Sequence, residues 1–178
     1  MKRRKIINEF TLHRRHLPHW ELPGATYHIV FDLKTRALCD LTRDDIAPII
    51  LNALAFYANM RYHLYDHTVM PDHVHVILQP IEGNGNVEPL GDIIGDIKRF
   101  CARKINGLLQ RKGALWLDES YDRIIRDLDE YKKIAKYIFE NPVRAGLVEQ
   151  GEDWKWWRPG VEPTSVGQDS CPVPHGKR

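Results

Sequence analysis

Cysteine is scarce in this chain. Cys39, Cys101 and Cys171 are its only three, widely spaced and with no Cys-x-x-Cys pair, which argues against a disulfide framework and against a zinc-thiolate cluster. Long apolar runs are missing too: nothing approaches the roughly 18 apolar residues of a membrane span. The basic start is followed by Asn8, Glu9, Thr11, His13 and Arg14 in place of an apolar signal core, so the expected location is the cytoplasm. Glu82-Gly83-Asn84-Gly85-Asn86 has turn chemistry but no Gly-Lys-Ser/Thr after it, which removes a phosphate-binding loop and leaves a plain one. A strong net charge is also absent. The formal value is +2 over 178 residues, a length that suits one domain.

What charge there is falls in two basic segments. Residues 1–20 carry Lys2, Arg3, Arg4, Lys5, Arg14 and Arg15 against Glu9 alone. Residues 90–112 carry Lys98, Arg99, Arg103, Lys104, Arg111 and Lys112 against Asp92 and Asp96. Such segments are either solvated faces or the electrostatic footprint of a polyanion.

Hydrophobic periodicity divides the chain into a basic lead-in (1–23), a folded domain (24–158) and a Pro-containing, apolar-poor tail (159–178) that reads as disordered. Tyr27 to Leu33 reads as a strand. Thr42 and Asp45 form a capping-box pattern ahead of a helix marked by Ile46, Ile50, Ala53, Leu54 and Tyr57, with Pro48 in its first turn. Tyr62–Val69 and His73–Gln79 read as two strands joined by the Met70-Pro71-Asp72 turn. Leu90, Ile93, Ile94, Ile97, Cys101, Ile105 and Leu108 mark a second, longer helix whose exposed side holds the basic residues. A weaker strand, Tyr121–Arg126, precedes a third helix from Asp129 to Asn141-Pro142. Strand, helix, strand, strand, helix, strand is the split βαβ or ferredoxin-like order, an α+β fold with an antiparallel sheet. Two helices then cover one sheet face, and the other is free for the third.

The chemistry concentrates on Asp72-His73-Val74-His75-Val76-Ile77-Leu78. Strand side chains alternate, so His73 and His75 share one face, about 7 Å apart along the backbone, while Val74, Val76 and Leu78 share the other. Two imidazoles so placed can converge on one metal ion. On the third helix Tyr137 lies roughly 60° from Ile134 and about 100° from Ile138, at the border of the buried stripe, whereas Tyr131 lies on the stripe and reads as core. Asn141, one turn after Tyr137, could add an amide oxygen to a metal site. It also suits the N-cap of a short further helix with Pro142 at its first position. Trp154, Trp156 and Trp157 read either as a base-stacking cluster or as a hydrophobic cap on the domain. The other histidines, His28, His63, His67 and His175, are set aside as having no catalytic part.

Four segments carry a resemblance: Arg15-His16-Leu17-Pro18-His19-Trp20, Leu22-Pro23-Gly24-Ala25-Thr26-Tyr27, Val69-Met70-Pro71-Asp72-His73-Val74-His75, and the stretch from Tyr137 through Asn141-Pro142-Val143-Arg144-Ala145-Gly146 to Val148. Together they resemble the single-tyrosine HUH transposases, and most closely their REP-associated branch, over about residues 13–157. The resemblance implies His73 and His75 as the histidine pair, Asn141 as the third ligand of Mg²⁺ or Mn²⁺, and Tyr137 as a nucleophile forming a 5′-phosphotyrosine. The implied partner is single-stranded DNA with hairpin repeats, bound by a monomer or homodimer, with Arg14, Arg15, Lys98, Arg99, Arg103 and Lys104 as candidate phosphate contacts. A transposase moving its own insertion sequence and a non-catalytic hairpin-binding protein are the alternatives.

Overall fold

A computed structural model describes residues 11–14, 18–22, 24–83 and 86–163. The expected calls on the remaining N-terminal residues, Arg15 among them, and on the tail from 164 lie outside the described residues. Within the lead-in, β1 (Thr11–Arg14) and β2 (Pro18–Glu21) pair as an antiparallel hairpin, which the polar, non-alternating sequence did not signal. The domain then runs β3 (Thr26–Asp32), α1 (Ala47–Phe56), β4 (Tyr62–Val69), β5 (His73–Pro80), a small β6 (Glu82–Gly83) and β7 (Asn86–Val87) ladder, α2 (Leu90–Leu108), β8 (Tyr121–Ile125), α3 (Leu128–Arg144) and β9 (Trp157–Arg158). The main sheet has the order β8-β3-β5-β4-β9, antiparallel throughout, so the first four strands of the expected fold have the ferredoxin-like arrangement.

The two sheet faces are buried by different means. Tyr27, Ile29, Phe31, Val74, Val76 and Leu78 alternate onto one face and pack with Ile50 and Leu54 of α1 and Ile93, Ile97, Cys101 and Ile105 of α2 in the main core. On the other face Ile77 and Ile125 meet Tyr131 and Ile138 of α3, together with Tyr65, in a smaller cluster. Burying one such aliphatic side chain contributes roughly 1.5–3 kcal/mol, so a handful of residues docks α3. Tyr65 and Asp66 occupy an irregularity in the β4–β5 register between Leu64 and His67. Both reach Tyr131: the rings of Tyr65 and Tyr131 meet edge to face at 5.9 Å, and the Tyr131 hydroxyl donates to Asp66 Oδ2 at 2.6 Å.

Two helix ends differ from the sequence reading. Thr42 does not cap α1; its N–H and hydroxyl both bond Asp40 Oδ1, and Asp45 pairs with Arg43. The nearby Asx acceptor outcompetes the helix N-terminus, so α1 starts at Ala47 with Pro48 at its second position and no side-chain cap. In α3 the helix continues through Pro142 to Arg144, so Asn141 is a helical residue and not the cap of another helix. The proline sits in the last turn, where the lost donor costs least. Gly146, at φ 69°, then ends the helix, with its N–H on Val143 O and that of Leu147 on Pro142 O, a Schellman closure.

The tryptophans form a cap. Trp156 is buried in the main core, and Trp154 packs beside it with Nε1 donating to Val69 O. Trp157 stands edge to face with Phe139 at 4.8 Å. Among the described residues no helix is long and apolar enough to cross a membrane.

Candidate active site on the open sheet face

The tight turn between β4 and β5, closed by Met70 N–H on His73 O with Pro71 and Asp72 at its tip, delivers Asp72 immediately before the first histidine. From there the alternation of β5 sends His73, His75 and Ile77 toward α3. Asn141 and Tyr137, one turn apart on α3, come down over them. The phenol ring of Tyr137 meets the His75 ring edge to face with centroids 5.6 Å apart, and Asn141 Nδ2 lies 2.8 Å from His75 Nε2. Tyr137 is 40% exposed, enough for a substrate to reach, while Asn141 and His75 are buried. The structure therefore assembles Tyr137, His73, His75 and Asn141 from residues about 60 positions apart in sequence.

The imidazoles are oriented from behind. His73 Nδ1–H donates to Asp72 Oδ1 at 2.6 Å, and Asp72 is also ion-paired with Arg36. Burial would raise the Asp72 pKa, but the bond from His73 and the Arg36 charge outweigh it and hold the carboxyl below its usual range. With its proton on Nδ1, His73 turns the Nε2 lone pair toward His75 Nε2, 3.1 Å away. Burial, then the neighbouring His73 and His28, push the His75 pKa down to about 3, so His75 stays neutral. His28, on β3, was set aside in the sequence yet lies against this group: its Nε2 is 3.1 Å from His75 Nδ1. Burial and Arg123 push its pKa down to about 4. The signal that finds it is the β3–β5 register, which puts His28 opposite Ile77, on the same face and one step along from His75.

His73 Nε2 and His75 Nε2, 3.1 Å apart, are close enough to share one proton or to hold one cation between them. Two further observations agree. Thr68 Oγ1, directly across from His75 on the same face, is buried without a hydrogen-bond partner, and the Asn141 amide, whose Nδ2 faces His75 here, would bring its oxygen to the same spot on turning over. Two imidazoles and an amide are a donor set that suits a divalent cation. Among the described residues no group of three or more His, Cys, Asp or Glu side chains could hold a metal.

Cations flank the phenol. The Arg144 guanidinium stands over the Tyr137 ring at 5.3 Å while bonding Glu140 at 2.9 Å, and Lys133, one turn before Tyr137 on the same helix, is exposed. The α2 cations named as DNA contacts are elsewhere. Lys98, Arg99, Arg103 and Lys104 belong to the helical layer behind the opposite sheet face. Lys98 Nζ is bonded to Leu117 O at 2.7 Å and Ser120 Oγ at 3.2 Å, Arg99 is paired with Asp96, and Arg103 and Lys104 flank the exposed Phe100. Arg14 lies in β1. A groove of about 900 Å³ opens on that helical side, between α2 and residues 114–122; its carboxylates, such as Glu88, Asp92 and Asp118, suit a phosphate poorly, and it contains no residue of the histidine-tyrosine cluster.

The strand-borne histidine pair facing a helix-borne tyrosine and amide is the arrangement that the resemblance to the HUH transposases implies. Residues 22–141 match the family model described as "Transposase IS200 like", and the chain belongs to that family. Within it the chain is similar to a putative REP-associated tyrosine transposase of Haemophilus influenzae, 27% identical over 97 residues, 49% of this chain and 53% of that protein. The chain thus spans about half the length of this curated relative. A solved REP-associated tyrosine transposase bound to a REP hairpin superposes with a TM-score of 0.65 at 22% identity, covering 94% of this chain and 98% of that one, and shows that the fold is shared. A putative transposase from Deinococcus radiodurans is 21% identical with a TM-score of 0.47, over 74% and 97% of the two chains.

Proposed function

We propose that this transposase is a metal-dependent endonuclease and strand transferase for single-stranded DNA, acting at palindromic repeat hairpins through a 5′-phosphotyrosine. The observation that carries the reading is the edge-to-face contact of Tyr137 with His75, which sets a half-exposed phenol beside a converging imidazole pair. The solved relative bound to a REP hairpin supports the choice of DNA.

In the proposed reaction Tyr137 Oη attacks the scissile phosphorus. The bond from phosphorus to the 3′ oxygen breaks, and the phenol proton is lost as the 3′ oxygen gains one. One ester replaces another, so the bond energy is kept and the 3′-hydroxyl can later re-attack and rejoin strands. A divalent cation held by His73, His75 and Asn141 would polarise the phosphate and offset its developing charge. The protein's own part is positional. Asp72 aims His73, α3 holds Tyr137 and Asn141 at a fixed spacing, and Arg144, over the face of the Tyr137 ring, adds positive charge beside the reacting phenol. Phosphates following α3 past Lys133 and Arg144 would meet the site directly, which the α2 cations do not.

The test combines protein, Mg²⁺ or Mn²⁺, and single-stranded oligonucleotides carrying palindromic repeats. A denaturation-resistant protein-DNA adduct is expected; Tyr137→Phe abolishes it, and His73→Ala or His75→Ala lowers it far more than they lower hairpin binding. An adduct that survives Tyr137→Phe contradicts the nucleophile assignment. Tight hairpin binding with no adduct in the unaltered protein favours the non-catalytic alternative.

A further inference from the structure

The two imidazoles of the pair are backed by different chemistry. Behind His73 is the Asp72 carboxylate, which can only accept, so the proton on His73 Nδ1 is fixed. Behind His75, among the described residues, the group bonded to Nδ1 is a third imidazole. His28 Nε2 faces His75 Nδ1 at 3.1 Å, and the two rings lie end to end and nearly coplanar, with centroids 5.3 Å apart and planes 17° from parallel. His28 is only 8% exposed and Tyr121 stands at its edge at 6.4 Å, so water is poorly placed to replace it.

A bond between two neutral imidazoles needs one proton, and the other side of His75 decides which ring carries it. Two groups meet His75 Nε2: His73 Nε2 at 3.1 Å, which would need it to donate, and Asn141 Nδ2–H at 2.8 Å, which needs it to accept, and the shorter contact sets it as the acceptor. His75 then carries its proton on Nδ1 and donates it to His28 Nε2.

We propose that His28 is the positioning residue of His75: by accepting from Nδ1 it fixes the tautomer in which His75 Nε2 turns its lone pair toward His73 and Asn141. The consequence for metal binding rests on the proposed function; the tautomer itself does not. A ligand histidine whose second nitrogen is held by a partner binds its metal roughly 10- to 100-fold more tightly than one left without it.

The experiment compares the metal-free unaltered protein with His28→Phe and His28→Gln. Phenylalanine keeps a flat buried ring but has no acceptor. Glutamine carries an amide oxygen that can accept in the place of Nε2. Long-range proton-nitrogen NMR correlations of the imidazoles, in mildly alkaline buffer, read which nitrogen of His75 is protonated, and thermal melting checks that each variant is folded. The unaltered protein and His28→Gln are expected to show His75 protonated on Nδ1, and His28→Phe to lose that single tautomer. Mn²⁺ binding, followed by electron paramagnetic resonance, should weaken about 10- to 100-fold in His28→Phe and recover in His28→Gln. Protonation of His75 on Nε2 in the unaltered protein, or an unchanged tautomer in folded His28→Phe, overturns the inference. Failure of the unaltered protein to bind Mn²⁺ would count against the metal-dependent reading of the site, while the NMR result would still decide the role of His28.

Discussion

Removing a single oxygen from Tyr131 should cost more stability than its size suggests. The Tyr131 hydroxyl is the side-chain donor to Asp66 among the described residues, at 2.6 Å, and both residues are buried. Tyr131→Phe keeps the ring, its packing on Ile138 and its contact with Tyr65, so little cavity forms. What it removes is one charge-assisted hydrogen bond, and it leaves a buried carboxyl without that partner, a loss of about 1.5–3 kcal/mol. Asp66→Asn keeps an acceptor oxygen and should cost less. Because the two groups act on one bond, the double variant should fall short of the sum of the single losses by about 1 kcal/mol or more. Urea unfolding at neutral pH measures all three. For a chain of this length the Tyr131→Phe loss corresponds to a fall in melting temperature of roughly 3–10 °C. A loss below about 0.5 kcal/mol, or strictly additive effects, would refute the view that this bond anchors the start of α3.

Three other outcomes follow from the same geometry. In the metal-free protein burial holds the His28 and His75 pKa values down to about 4 and about 3, against an ordinary value of 6.5. From pH 7 to pH 5 the unfolded chain therefore takes up protons that the folded one refuses, and stability should fall by about 2 kcal/mol per histidine at most; a flat urea midpoint over that window would contradict this. Gly160→Ala should lose about 1–3 kcal/mol or more, because a Cβ there would stand 2.6 Å from backbone atoms of Tyr65 and Asp66, and an unchanged melting temperature would rule that contact out. Arg144→Gln should slow single-turnover adduct formation at least tenfold, about 1.4 kcal/mol, at saturating DNA; an unchanged rate would remove Arg144 from the reaction.

Much of this arrangement was legible in the residues. The alternation of His73 and His75 with Val74 and Val76 predicted the imidazoles on one face and the valines in the core on the other, and the Ile134–Ile138 spacing predicted Tyr137 at the edge of the buried stripe; both placements hold. The strand-helix order predicted the sheet, and the one face left free by the first two helices predicted which side α3 would take. What stayed hidden depends on pairing between distant segments. The part played by His28 needs the β3–β5 register, and the distance of the α2 cations from Tyr137 needs the layer on which α2 packs. β9 is two residues long and shows no alternation, so only its pairing of Thr68 with Trp157 reveals it. Pro142 misled because a proline reads as a boundary from local geometry alone, while the last turn of a helix tolerates it.

The central claim is that Tyr137 reacts across the sheet face that presents His73 and His75. Digesting a protein-DNA adduct and locating the attached nucleotide by mass spectrometry tests it most directly. The account predicts a 5′-linked nucleotide on the peptide containing Tyr137, formed only when a divalent cation is present. Attachment to another residue, such as the exposed Tyr121, or an adduct formed equally well in a chelator, would contradict it.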